Sequence, residues 1–249
     1  MTSAAARRTT GLRIEEAPRT LREIALERLR AAIVEHRFPP GTRLTERELC
    51  EQMGVSRSVV REVIRHLEAE GLVESVPHHG PIVARLDAAT AAEIYELRGL
   101  LESSAAHDAA ERATPEAVDR LRQALASIAA GYAAQDHHAV LAATTAFYEA
   151  MFMAGGKRVA WEVVKRLNSR ISWLRAMTIG SPGRATAGLG QMEKIFHAIA
   201  QHQPTAAAAA SREHVNMAAS IARQLLEQRD GAARSADGPA KQMGAIQRR

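Results

Sequence analysis

Apolar residues recur at helical spacing from Thr20 onward, where Leu21, Ile24, Ala25, Leu29, Ala32 and Ile33 share one face. Pro39, Pro40 and Gly41 are expected to stop that helix. Thr45-Glu46-Arg47-Glu48 has the form of a capping box, with the threonine oxygen on an early amide and the glutamate reaching back, so a second helix is expected to start there. It is short, because Gly54 suits a left-handed C-terminal turn. Ser56 caps a third helix from Arg57 to Glu70, closed by Gly71, with Val60, Val63, Ile64 and Leu67 as its apolar face. Two β-prone runs follow, LVESV and PIVARL, separated by Pro77-His78-His79-Gly80, which reads as a hairpin.

Beyond Asp87, a suitable N-cap, the pattern is helical throughout. Thr114-Pro115-Glu116 combines a cap, a proline at the first helical position and an acid in the first turn. Gly155-Gly156 and Ser181-Pro182-Gly183 are breaks, and Pro204 opens a helix through the alanines 206–210. About six helices are expected between 88 and 229. The expected organisation is a flexible arm (1–18), a winged helix-turn-helix (19–87), an all-α bundle (88–229), which the resemblance given below makes the effector-binding and dimerisation domain, and a disordered tail (230–249). The fold class is mainly α with one small β-hairpin wing.

Composition narrows the function. One cysteine can form neither an internal disulfide nor a cysteine-based zinc site, and no apolar run of membrane-spanning length exists. The N-terminus has arginines but no apolar core of a secretory signal, so a cytoplasmic location is expected. The net charge of +5 is spread thinly along the chain and does not itself argue for nucleic acid. Placement does. Two short helices joined by a glycine turn form a helix-turn-helix, whose second helix lies in the major groove. Its solvent face here carries Arg57, Ser58, Arg61 and Arg65, with Ser56 at an N-terminus whose free amides attract phosphate. Arginine grips guanine O6 and N7 in a forked pair.

The segment RLTERELCEQMGVSRSVVREVIRHLEAEGLVESVPHHGPIV resembles the winged helix of the GntR family of bacterial transcription regulators, from about Leu21 to Val83. The resemblance implies DNA contacts from Arg47, Arg57 and Arg61, assisted by Ser56, Ser58, His79 and Gly80. Val59 stands where relatives often carry proline or threonine. The segment EIYELRGLLESSAAHDAAERAT resembles the first helix of the all-α ligand-binding (FCD) domain of the FadR-type branch, with Arg98 and Glu102 on its Arg-x-x-x-Glu.

Many members of that branch hold a divalent metal through one aspartate and three histidines. The matching positions here are Thr144, Tyr148, Met192 and His214, so three of the four ligands are missing. One imidazole with a phenol and a thioether is a poor site for zinc, manganese or nickel, and no metal and no cofactor are expected. What remains is a pocket with Arg98, Tyr148, Met192 and His214 as its effector-binding residues. Phe147 and Met151 are either soft lining or plain core, and Arg98 either faces the cavity or pairs with Glu102. Arg170 and Arg175 are weaker candidates. An arginine in a largely apolar cavity suits an effector with a carboxylate or phosphate.

Three other features read as structural. His137-His138 beside Asp136 suits a solvated helix start, Cys50 a buried thiol, and AGGKR lacks the spacer of a phosphate loop. The expected protein is a homodimeric, effector-responsive transcription regulator, reading a palindromic operator in double-stranded DNA. The alternatives are an architectural DNA-binding protein without effector, or an enzyme built on the helical domain. The last lacks a nucleophile with a base, a carboxylate pair or a metal.

Overall fold

The computed structural model describes residues 19–181 and 183–237. The expected arm (1–18) and Pro182 lie outside the described residues, as does everything from 238 onward. The chain begins with α1 (Leu21–Val34), α2 (Glu46–Met53) and α3 (Arg57–Ala69), then the strands β1 (Val73–Val76) and β2 (Gly80–Val83). Among the described residues six helices follow: α4 (Ala88–Arg112), α5 (Pro115–Ala133), α6 (His137–Ala154), α7 (Arg158–Ile179), α8 (Arg184–Ala200) and α9 (Pro204–Asp237).

In the first unit, Leu26, Leu29 and Ile33 of α1 pack with Leu49 of α2 and with Val60, Val63, Ile64 and Leu67 of α3. The expected apolar face of α3 is therefore its buried face. Strand β2 pairs antiparallel with β1 in the register Val73↔Val83 to Val76↔Gly80, and Arg43 adds an isolated bridge to Ile82. Gly54 caps α2 in the left-handed region (φ 66°), a backbone state that costs other L-residues.

Three expectations need correction here. The capping box does not form at Thr45, whose hydroxyl makes no cap bond and is buried without a partner. Leu44 N–H is tied to the Pro81 carbonyl at 2.9 Å, so the wing fixes how the chain approaches α2. The box forms instead at Thr20 and Glu23, each side chain on the other's backbone amide. Helix α1 ends before the prolines, at Val34, where Glu35 caps it and His36 turns at φ 58°. Helix α9 continues past 229 to Asp237, so its last residues are helical where a disordered tail was expected. Gly231 lowers helix propensity by only about 1 kcal/mol, too little to end so long a helix.

In the bundle, the long helices α4 and α9 lie against each other, α5 against α6, and α8 against α9. Leu121, Ile128, Phe147, Phe152, Ile171, Leu174, Ile195, Ile199 and Leu226 fill the core. Asp87, Thr114 and Asp136 cap α4, α5 and α6 through their side chains.

The two units meet along α7. Ser169 donates its hydroxyl to the Glu70 carboxylate, which also accepts from Arg30 Nε at 2.9 Å. Arg170 Nε donates to the Glu70 carbonyl at 3.2 Å. The Trp173 ring meets the His36 ring edge-on at 4.9 Å, and Arg229 donates to the Leu86 carbonyl at 3.0 Å. Burial alone would raise the Glu70 pKa, but the bonds from Arg30 and Ser169 outweigh it and hold the carboxyl below its usual range.

Candidate nucleic-acid interface and effector cavity

Helix α3 is amphipathic by construction. With Val60, Val63, Ile64 and Leu67 inward, the residues between them face solvent, so Arg57, Ser58, Arg61 and Arg65 are exposed along one surface. Ser56 is the N-cap, accepting weakly from Val59 N–H at 3.5 Å and sharing a 2.8 Å hydrogen bond with Ser58 Oγ. Arg61 is not solvated on all sides: its Nε donates to Glu46 at the start of α2, at 2.7 Å. Arg47 lies 3.7 Å from Glu51 on the same helix. His79 and Gly80 sit at the hairpin tip, Gly80 at φ 79° with open space where a Cβ would be, and His79 Nδ1 is 3.3 Å from the Pro77 carbonyl.

In the bundle, Arg98, Thr144, Met192 and His214 line one cavity of about 30 Å³, reached from four helices. Tyr148 does not line it and stands behind the arginines that do: the Arg98 guanidinium lies 5.8 Å and the Arg175 guanidinium 4.7 Å from its ring centre. Phe147 and Met151 are fully buried core outside the lining. Arg98 does pair with Glu102, Nε to Oε1 at 2.7 Å, and both are buried. Yet its Nη1 is buried without a partner, so the pair leaves one donor unused.

Several residues at this cavity carried no expectation. Arg184 is buried at the start of α8 and donates to Gln191 Oε1 at 3.3 Å, and Tyr132 and Thr178 complete the polar lining. The signal for Arg184 is its spacing, since positions 184, 188, 191 and 192 share one helical face. Arg175 belongs to this cavity, whereas Arg170 belongs to the seam between the units. His214 Nδ1 donates to the same Gln191 Oε1 at 3.1 Å, which fixes its tautomer.

The electrostatics follow from burial. Burial pushes the Arg175 pKa down to about 10, helped by the neighbouring Arg98 charge. Burial would also lower Arg98, but the Glu102 carboxylate outweighs it. Burial lifts the Tyr148 phenol to about 12. His214 is held well below its ordinary value by burial, then by Arg184, Arg98 and Arg175, and is neutral at pH 7.

Of the four positions that the family resemblance assigns to a metal, Thr144, Met192 and His214 line the cavity and Tyr148 stands behind its arginines, and together they do not fit one. Thr144, Tyr148 and Met192 offer a hydroxyl, a phenol far from deprotonation and a thioether, beside one imidazole. Three guanidiniums surround them and repel a cation. Elsewhere, His107, Asp108 and Glu111 come within ligand distance of one another, but Lys157 Nζ already sits 2.9 Å from Asp108. His137 and His138 are exposed at the start of α6, and Cys50 is half-buried rather than buried.

Among the described residues, a winged helix-turn-helix with an exposed basic helix face is joined to a bundle of six helices around a small polar cavity. Residues 21–83 match the family described as bacterial regulatory proteins, gntR family, and residues 93–217 match the FCD domain. The galactonate operon transcriptional repressor of Escherichia coli is 30% identical over 220 residues, covering 78% of this chain and 92% of that one. An uncharacterized HTH-type transcriptional regulator of Streptomyces ambofaciens is 28% identical, covering 79% and 83%. Among solved structures, Escherichia coli McbR/YncC aligns with a TM-score of 0.71 at 19% identity, covering 83% of this chain and 99% of that one. A putative GntR regulator from Rhodococcus sp. RHA1 aligns at 0.69 and 23%, covering 83% and 97%. The chain belongs to the GntR family of transcriptional regulators, with an FCD C-terminal domain. Members of this family bind DNA and are regulators of transcription, not enzymes. No helix among the described residues is long and apolar enough to cross a membrane.

Proposed function

We propose that this chain acts as a cytoplasmic homodimer on a palindromic operator, and that a small carboxylate-bearing effector in the bundle cavity sets its affinity. The observation that carries the DNA half is α3 itself: one face is sealed in the core while Arg57, Ser58 and Arg61 stand exposed beside the Ser56 cap. Arg57 and Arg61 read base edges or grip phosphates, and Arg47, His79 and Gly80 flank them. Arg61 exchanges Glu46 for the duplex on binding. Leu97 and Leu100 on α4 and Met217 on α9 are exposed apolar residues, which makes that pair of helices the surface offered to a second copy.

The effector half rests on the buried cations. An architectural protein without a ligand has no use for guanidiniums whose burial costs several kcal/mol each unless a partner offsets it. Helix α7 supplies the route to the head. It carries Arg175 and Thr178 at the cavity and Ser169, Arg170 and Trp173 at the seam.

Fluorescence anisotropy tests the DNA reading on an operator selected by the protein from random duplexes. Arg57→Ala and Arg61→Ala are each expected to weaken specific binding about 5- to 150-fold. Arg47→Ala is expected to weaken all sequences alike and to reduce the slope of log affinity against log salt by about 0.9. Unchanged affinity in both the Arg57 and the Arg61 variants would remove this reading.

A further inference from the structure

The bundle cavity holds more positive charge than an effector with one carboxylate would need. Arg98, Arg175 and Arg184 are all buried around it, and Glu102 is the single carboxylate that pairs with any of them among the described residues. Glu102 neutralises Arg98. Arg184 has a neutral partner, the Gln191 amide oxygen. The Arg175 guanidinium has only the face of the Tyr148 ring among the described contacts. His214 does not change the sum, since its Nδ1–H is spent on Gln191 and it is neutral. Two positive charges are thus left without an opposite charge, which is the charge a divalent ion would have brought.

The unpaired donors agree with the charge. Arg98 Nη1 and the Tyr148 hydroxyl are both buried with no hydrogen-bond partner. A buried donor left unmade costs more than an ordinary bond gains, so each marks a place where an acceptor belongs. Arg98 lines the cavity, and the Tyr148 ring packs behind two of its lining guanidiniums, those of Arg98 and Arg175. The cavity's free space of about 30 Å³ has room for little more than a water molecule. A ligand must therefore be compact, and the Arg175 and Arg184 side chains must draw back to admit it.

We infer that this cavity binds a compact dianion, a small molecule bearing two carboxylates or one phosphoryl group, gripped directly by Arg98, Arg175 and Arg184 with no metal between. This deepens the effector reading above and rests on it. Arg98 Nη1 donates to one anionic end while Glu102 keeps the rest of the Arg98 fork in place. Arg175 and Arg184, from α7 and α8, hold the second charge. A guanidinium fork matches the geometry of both carboxylate and phosphoryl oxygens. The excluded chemistry is equally definite: a monoanion leaves one guanidinium unpaired, and a neutral ligand leaves two.

The test uses the full chain after dialysis against EDTA, with thermal melting and isothermal titration calorimetry as readouts. The probes are malonate, succinate, glutarate and inorganic phosphate, set against acetate and monomethyl succinate. At least one dianion is expected to raise the melting temperature and to bind at least tenfold more tightly than its monoanionic counterpart. Added magnesium, manganese or zinc is expected to leave that binding unchanged. Arg175→Gln is expected to lose at least tenfold in dianion affinity while melting at or above the wild-type temperature without ligand, because an unpaired buried charge has gone. Arg184→Gln provides a second, independent loss of affinity should the first variant fold poorly. Succinate against phosphate tells a dicarboxylate site from a phosphoryl site.

Equal response to monoanions and dianions overturns the inference, as do a requirement for a divalent ion, wild-type binding by both variants, or silence from every dianion. Arg57→Ala separates the two readings, since it is expected to lose the operator and keep the dianion response. If instead a monoanion or neutral compound shifts operator affinity, the effector reading stands and the dianion inference falls.

Discussion

Gly71 lies where the DNA-reading head meets the bundle, and replacing it with alanine tests that junction quantitatively. It follows α3 at φ 71°, and an added Cβ would lie 2.6 Å from the Arg170 guanidinium carbon. Two costs arise. The left-handed backbone costs an alanine roughly 1–2 kcal/mol. The Arg170 guanidinium, the far end of a flexible side chain, must swing away and give up its bond to the Glu70 carbonyl, a charged hydrogen bond worth about 1.5–3 kcal/mol. Gly71→Ala is therefore expected to destabilise the protein by about 2.5–5 kcal/mol. In an Arg170→Ala background that bond is already gone and the space is clear, so the same change is expected to cost only the backbone part. The coupling is then about 1.5–3 kcal/mol. Urea unfolding at one fixed protein concentration measures it, with tryptophan fluorescence as the probe, because Trp173 packs on His36 in the seam. Equal costs in the two backgrounds would refute the claim that Arg170 seats the head against α7.

Acid is expected to loosen the bundle. His214 is held far below its ordinary pKa by burial and by three arginines, on α4, α7 and α8, and burial also lowers His36 in the seam. For each of these groups the unfolded chain binds the proton first, so stability is full above about pH 6.5 and falls as pH drops below it, by up to about 1.4 kcal/mol per unit per group. Differential scanning calorimetry from pH 7.5 to 5.5 checks this, and His214→Asn is expected to flatten the slope. Thr20→Ala is expected to cost about 1 kcal/mol by losing a formed capping box, whereas Thr45→Ala is expected to be neutral or slightly stabilising because its buried hydroxyl has no partner. Chemical denaturation of the two variants side by side decides between them.

The contrast between those two threonines shows where the sequence was legible. Both segments carry Thr-x-x-Glu, and the local pattern cannot say which box closes. At Thr45 the answer is tertiary: the wing holds Leu44 in place, Glu46 turns to Arg61, and the hydroxyl is left inside. The apolar face of α3 needed no such context, because four residues at helical spacing admit only one buried side. The caps at Asp87 and Thr114 depend only on an amide three residues on and were readable for the same reason. In the bundle cavity, Arg98, Met192 and His214 were reachable through the resemblance. Arg184 was not, because it follows a Ser-Pro-Gly break and its partner Gln191 lies two turns on. Arg175 stood in the sequence as a weaker candidate beside Arg170, and only the packing of α7, which turns Arg175 toward Tyr148 and Arg170 toward the seam, separates the two.

The charge on the effector bears on whether a switch of this kind can work at all. A ligand moves a two-state equilibrium only by the difference in its affinity for the two states. Carrying it from one extreme to the other, 1:99 to 99:1, takes about 5.5 kcal/mol. A charge-assisted hydrogen bond is worth about 1.5–3 kcal/mol, so a single new contact to Arg98 falls short. Two contacts made in one state alone, to Arg175 on α7 and Arg184 on α8, come to about 3–6 kcal/mol, a range that reaches the requirement only at its upper end. Arg175 sits five residues beyond Arg170 on the same helix, a rise of about 7.5 Å. On the effector reading proposed above, a shift that brought Arg175 to an anion would be carried along α7 to the Glu70 and Trp173 contacts that seat the head. A ligand confined to Arg98 would leave α7 where it is.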